Sequence, residues 1–183
     1  GKWYGMPIAG TMAHSFVTSF EHEIDSFRAY ARSFPDRTTL LIDTYDTVAW
    51  AHKAAVVAKE MELKGNKLQA VLLDSGDLAT LSRHVRSIFD SEGLGYVEIV
   101  GSGGLDEYQV GALLADGAPV DGFGIGTKVG VSGDAPWLDT AYKLVKYDGR
   151  PVLKLSTGKV TLADEKQVFR YHDADGMYSE DTI

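Results

Sequence analysis

Cysteine is absent from these 183 residues, which excludes disulfides, thiolate metal ligation and a cysteine nucleophile. The same absence agrees with a reducing cytoplasm, the expected location. Basic side chains are short in number: 18 Lys and Arg stand against 26 Asp and Glu, a formal net charge of −8. Neither nucleic acid nor an anionic membrane surface finds a general attraction to such a chain. No apolar run approaches the ~18–20 residues of a membrane span, and nothing resembles a signal peptide. What is present is ordinary globular material, 44% hydrophobic, 10% aromatic and 24% charged, which excludes disorder, collagen and coiled coil. Glycine is the exception, with 20 residues against a usual share of roughly 7%. The chain starts at Gly1 in mid-pattern, so a longer parent protein is expected.

From Pro7 to about Thr127, short apolar runs, Gly- or Asp-rich loops and amphipathic stretches alternate, the pattern of βα units. MPIAG at 6–10 reads as a strand, and Phe16, Phe20, Ile24, Phe27 and Phe34 as one helix stripe ended by Pro35. Strands are expected at Thr39 to Ile42, Ala70 to Leu73, Tyr96 to Val100 and Asp121 to Phe123, with helices between them. Such apolar strands joined by helical crossovers imply a parallel sheet covered by helices, either doubly wound or part of a barrel. A complete barrel takes ~250 residues, so here it would be partial. We divide the chain into 1–135, a partial α/β barrel carrying the site loops, and 136–183, a β-rich segment. That segment shows one hairpin across Asp148-Gly149 and a second around Asp173 to Gly176. Lys143, Lys146, Lys154 and Lys159 alternate with apolar residues, as half-exposed strands do.

Ligands of parallel α/β folds sit at the carboxyl ends of the strands. The loops expected there carry Thr11 and His14, Asp43, Asp74-Ser75-Gly76-Asp77, Ser102-Gly103 and Gly124-Ile125-Gly126-Thr127. Glycine permits close approach of the backbone to an anion, so 124–127 suits a phosphate, with a plain tight turn as the alternative. Asp74 and Asp77 could accept ribose hydroxyls or hold magnesium through water; Asp77 reads better as a helix cap, and Asp43 fits either role. His14 is suited to act as acid, base or phosphate acceptor, against the alternative of a structural histidine. His22, His52, His84 and His172 are assigned to solvent-facing positions, and Trp3, Trp50 and Trp137 to packing.

Seven motifs occur in order: GTMAHSFV at 10–17, LIDTYDT at 41–47, LLDSGDL at 72–78, GSGGLDE at 101–107, GFGIGTKVGVS at 122–132, AYKLVKYDGRPVLKLS at 141–156 and KQVFR at 166–170. Together they make the chain resemble the nicotinate phosphoribosyltransferase family over nearly its whole length. The resemblance implies an irregular α/β barrel of the type II phosphoribosyltransferase kind, continued by an amino-terminal domain and a dimer interface outside this sequence. It implies transfer from 5-phosphoribosyl 1-diphosphate to nicotinate in NAD biosynthesis, with ATP coupled through a phosphorylated histidine and with magnesium as cofactor. His14 then matches the phosphorylated histidine and Asp43 the carboxylate that orients it. Asp74 matches the position near the ribose hydroxyls, Ser102 and Gly103 a ribose-phosphate loop, and Gly124, Gly126 and Thr127 the 5′-phosphate cradle, with Thr11 and Ser75 as further substrate contacts. Many relatives carry arginine where this chain has Leu72, which removes one expected anion contact. Two alternatives accompany this reading. One is a nicotinamide or quinolinate phosphoribosyltransferase of the same fold. The other is an inactive fragment that binds only phosphate ligands or a partner chain through its exposed edges.

Overall fold

The computed structural model describes residues 3–131, 138, 140–156 and 160–183. Trp137 and Lys159, assigned above to packing and to a half-exposed strand, lie outside the described residues, as does Ser132 of the GFGIGTKVGVS motif. At the centre is a parallel sheet in the order β1 (Thr39–Leu41), β2 (Ala70–Leu73), β3 (Glu98–Gly101) and β4 (Gly122–Phe123). It is open, the form that a segment of a barrel and half of a wound sheet share, so a barrel is not closed by the described strands.

The crossovers are α3 (Thr47–Glu62), α4 (Leu78–Ser91) and α5 (Glu107–Ala115), preceded in the chain by α1 (His14–Thr18) and α2 (Glu23–Ser33). Local chemistry marks the crossover boundaries. Asp46 caps α3 by accepting from the Ala49 amide, Asp77 caps α4, and Asp106 with Gln109 forms a reciprocal capping box on α5. Gly93, at φ +70°, lets the chain leave α4 in a left-handed turn that a side chain would disfavour. The helices bury one stripe against the sheet: Phe27, Trp50, Val57, Val85 and Phe89 meet Leu40, Ile42, Val71 and Ile99. Phe27 and Trp50 pack edge to face at 4.9 Å.

Two expectations fail near the amino terminus. The MPIAG run forms no strand, and residues 6–12 pass beside the sheet without joining its ladder. The single stripe from Phe16 to Phe34 is two helices, because the Ser19 hydroxyl bonds back to the Phe16 carbonyl and closes α1. The spacing still serves packing, since Phe16 meets both Phe20 and Tyr30 edge to face across the break.

A short α6 (Thr127–Gly130) follows β4, and the later segment holds two hairpins: β5 (Lys146–Tyr147) with β6 (Arg150–Pro151), and β7 (Phe169–His172) with β8 (Tyr178–Thr182). The Asp148-Gly149 turn has positive φ at both residues, as two-residue hairpin loops require. Pairing there is shorter than the expected run from 141 to 155. No helix among the described residues is long and apolar enough to cross a membrane.

Candidate active site

Strand register builds the site. Leu41 lies opposite Leu72, Leu73 opposite Gly101, and Gly101 opposite Phe123. Continuing each strand past its end brings Asp43, Asp74, Ser102 and Gly124 into one row along the carboxyl edge of the sheet. The row is welded by short bonds. The Ser102 amide donates to the Leu73 carbonyl at 2.7 Å, and the Gly124 amide to the Gly101 carbonyl at 2.8 Å. The Ser102 hydroxyl donates to Asp74 Oδ1 at 2.7 Å, and the Ser75 hydroxyl donates to Asp43 Oδ2. Gly103 is the position where glycine is required: φ is +102°, and a Cβ would stand 2.1 Å from the Asp74 carbonyl oxygen.

His14 enters from the first turn of α1 and lies over this row. Its Nδ1 is 3.0 Å from the Thr44 hydroxyl, and its Nε2 faces three groups. These are Asp74 Oδ2 at 3.7 Å, Asp43 Oδ1 at 4.0 Å and the Lys154 ammonium at 2.5 Å. Asp43 does not hydrogen-bond the ring, so its influence on His14 is that of a nearby charge. It is 1% exposed, and its Oδ1 takes no hydrogen bond from any described group. A buried carboxylate oxygen left in that state is costly unless a positive charge faces it. Here that side of Asp43 points toward the imidazole.

The remaining candidates are distributed more widely. Gly124, Gly126 and Thr127 form an exposed loop beside Ser102, where Lys128 ties the start of α6 to Asp106. Asp77 gives its oxygens to the Ala79 and Thr80 amides and to the Thr80 hydroxyl, and the Thr80 bonds hold its carboxyl below the usual range. It caps α4, the reading favoured above. Thr11 is not brought to the row, because its hydroxyl donates to the Thr39 carbonyl at the opposite end of β1. Leu72 is partly buried and packs on the core. His22, His52, His84 and His172 are exposed and Trp50 is buried, as expected, whereas Trp3 is 93% exposed rather than packed.

Lys154 corrects the sequence reading. It was grouped with lysines on half-exposed strands, yet it is 4% exposed and reaches the imidazole. The inward phase of 152–156 is fixed by backbone ties: the Leu155 amide donates to the Thr44 carbonyl, and the Ser156 hydroxyl to the Asp43 carbonyl. Strand alternation was legible there, but which face pointed inward was not. The signal that could have set the phase was the polarity of the site itself, two carboxylates that call for a cation.

His14, Asp43 and Asp74 place one ligand atom each within 4.8 Å of one another. The set does not fit a metal held on the imidazole, because the Lys154 ammonium already lies against Nε2. Asp74, an oxygen donor, fits a hydrated magnesium ion.

No family model matches the chain. Individual proteins do. The nicotinate phosphoribosyltransferase pncB2 of Mycobacterium tuberculosis is 50% identical over 184 residues, a match covering 100% of this chain and 39% of that protein. The nicotinate phosphoribosyltransferase of Bacillus subtilis is 37% identical over 187 residues, covering 98% of this chain and 38% of that one. Among solved structures, the nicotinate phosphoribosyltransferase of Porphyromonas gingivalis superposes with a TM-score of 0.71 at 21% identity, over 87% of this chain and 45% of that chain. The nicotinate-nucleotide pyrophosphorylase of Pyrococcus furiosus gives 0.60 at 27% identity, over 97% and 43%. With the ordered row of loop residues and a sequence match along its entire length, this chain belongs to the nicotinate phosphoribosyltransferase family, spanning 39% of the length of the first of these curated relatives.

Proposed function

We propose that the protein transfers phosphoribose from 5-phosphoribosyl 1-diphosphate to nicotinate, releasing pyrophosphate and forming nicotinate mononucleotide in NAD biosynthesis. ATP hydrolysis is coupled to the transfer through phosphorylation of His14. The protein works in the cytoplasm, as a homodimer in its full-length form. The observation that carries this reading is the half-buried imidazole, with Asp43 and Asp74 within 4.0 Å of Nε2, at the carboxyl edge of the sheet in a chain 50% identical to a nicotinate phosphoribosyltransferase.

Departure of pyrophosphate leaves positive charge on the ribose, so the groups that matter are those aimed at that charge and those that hold the reactants still. Asp74, braced by Ser102, is the carboxylate for the ribose hydroxyls. Gly103 lets the backbone come close enough to seat this loop, and Ser75 braces Asp43 from the other side. Gly124, Gly126 and Thr127 offer exposed backbone to the 5′-phosphate. Magnesium, when bound, neutralises charge on the leaving pyrophosphate, and Asp74 is the residue to hold it through water. Asp43 stabilises the positive charge that the ring acquires as it accepts a phosphoryl group.

The test is product formation from nicotinate, nicotinamide and quinolinate in turn, each with and without ATP. Nicotinate mononucleotide formed faster with ATP is expected, and His14→Ala should abolish the stimulation while slow transfer persists. Preference for another pyridine overturns the substrate, and equal stimulation in the variant overturns the role of His14.

A further inference from the structure

A lysine that is 4% exposed needs a partner able to accept its charge, since burial of an ammonium is otherwise strongly unfavourable. Lys154 lies 140 residues from His14 in the chain and nonetheless meets its Nε2 at 2.5 Å. Its backbone is held on both sides. The Lys154 amide donates to the Thr161 hydroxyl at 3.2 Å, the Thr161 amide returns a bond to the Lys154 carbonyl at 3.3 Å, and Leu155 and Ser156 are tied to Thr44 and Asp43. The side chain is thus delivered to one place.

An ammonium has donors and no acceptor, so the ring nitrogen it meets must present a lone pair. The ring proton then resides on Nδ1 and is donated to the Thr44 hydroxyl. Without the lysine the preference reverses, because Asp74 and Asp43, at 3.7 and 4.0 Å from Nε2, both favour a proton on that nitrogen. We propose that Lys154 is a positioning residue that holds His14 as the Nδ1–H tautomer, with its lone pair on Nε2, and then serves as counter-charge to a phosphoryl group on Nε2. The second half rests on the reading that His14 accepts phosphate; the first does not. In that step the Nε2 lone pair forms the N–P bond while the bond from the γ-phosphorus to the bridging oxygen breaks, its electron pair leaving on ADP. The ring proton stays on Nδ1, the cationic ring faces Asp43, and the ammonium passes from nitrogen to phosphoryl oxygen. A cavity of ≈ 160 Å³ bounded by His14, Ser15, Lys154 and Thr161 gives the group room beside these residues.

Nitrogen NMR of the protein labelled with 15N-histidine reads the tautomer directly. The expected wild-type signature is a protonated Nδ1 and an unprotonated Nε2. Lys154→Met should move the proton toward Nε2, and Lys154→Arg, still a cation with donors only, should restore the wild-type pattern. With radiolabelled ATP, phosphohistidine should form about 100-fold more slowly in the Met variant, the loss typical of removing one donor aimed at developing charge. A wild-type ring protonated on Nε2 overturns the proposal, as does a folded Lys154→Met that keeps the pure Nδ1–H form. If Lys154→Met does not unfold cooperatively, Lys154→Arg decides, and an Nε2–H ring in that variant overturns the proposal. If the wild type takes no phosphate from ATP, the coupling reading fails by itself and the tautomer spectra still decide the positioning role.

Discussion

The two halves of the molecule divide stability from chemistry unevenly. The sheet with α2, α3 and α4 holds nearly every buried apolar side chain, whereas Val152 is the single one after residue 131 among those described. Yet the sparsely packed later segment supplies Lys154 and Ser156 to the imidazole cluster, through ties to residues 112 to 140 positions earlier. A segment can therefore contribute little to the core and still decide what the site does. The largest expected effect tests the first part of that contrast. Phe89→Ala, at a side chain with no exposure, should cost about 3–5 kcal/mol in urea unfolding. Leu155→Ala, at 52% exposure in the later segment, should cost no more than about 0.5 kcal/mol. Similar losses in the two variants would mean that the later segment shares the core.

Next in size is Gly103→Ala. A Cβ there collides with the Asp74 carbonyl in a left-handed backbone, so at least about 1–3 kcal/mol of strain is expected, with Asp74 displaced from its row. Urea unfolding measures the first effect and nicotinate mononucleotide binding the second. Unchanged binding would show that the row is not part of the site. Asp43→Asn separates the halves differently. It leaves a similar shape between Ser75 and Thr44 but removes the charge facing the ring, so ATP-stimulated transfer should fall about 10- to 100-fold, as losses of supporting residues around an active group do. The melting temperature should change little. A matching loss of transfer without ATP would move Asp43 from His14 to the transfer step itself.

What was legible in the sequence follows the same division. Strands β1 to β4 and helices α3 to α5 announce themselves because each apolar run ends at a loop with its own capping or glycine chemistry, and the chemical residues follow directly after each strand. That is why Asp43, Asp74, Ser102 and Gly124 could be placed on one edge before any register was known. The failures occur where local pattern is silent about long-range partners. MPIAG is apolar enough for a strand, but strand formation needs a free ladder beside it. The break between α1 and α2 turns on one serine bonding back to Phe16. Lys154 alternates as a strand residue should, and only the carboxylates that follow β1 and β2, at least 80 residues away, determine that it faces inward.

The smallest expected effect is at the far end of the chain. Every residue of β7 and β8 is exposed, and the pair is held by its own ladder and by the bidentate contact of Arg170 with Asp181, an exposed ion pair of the kind that contributes little. A two-stranded hairpin is marginal alone, and among the described residues none of β7 or β8 belongs to the buried core. Ending the chain after Val168 should therefore shift the unfolding free energy by no more than about 0.5 kcal/mol and leave the His14 tautomer intact. Phe169, Tyr171 and Tyr178 sharpen the test, because three aromatic side chains, each at least 50% exposed, would bury a large apolar area if they docked on the sheet in solution. A loss of several kcal/mol on truncation would show that they do so, and the contrast between a packed half and a chemically useful but loose half would then end at residue 168.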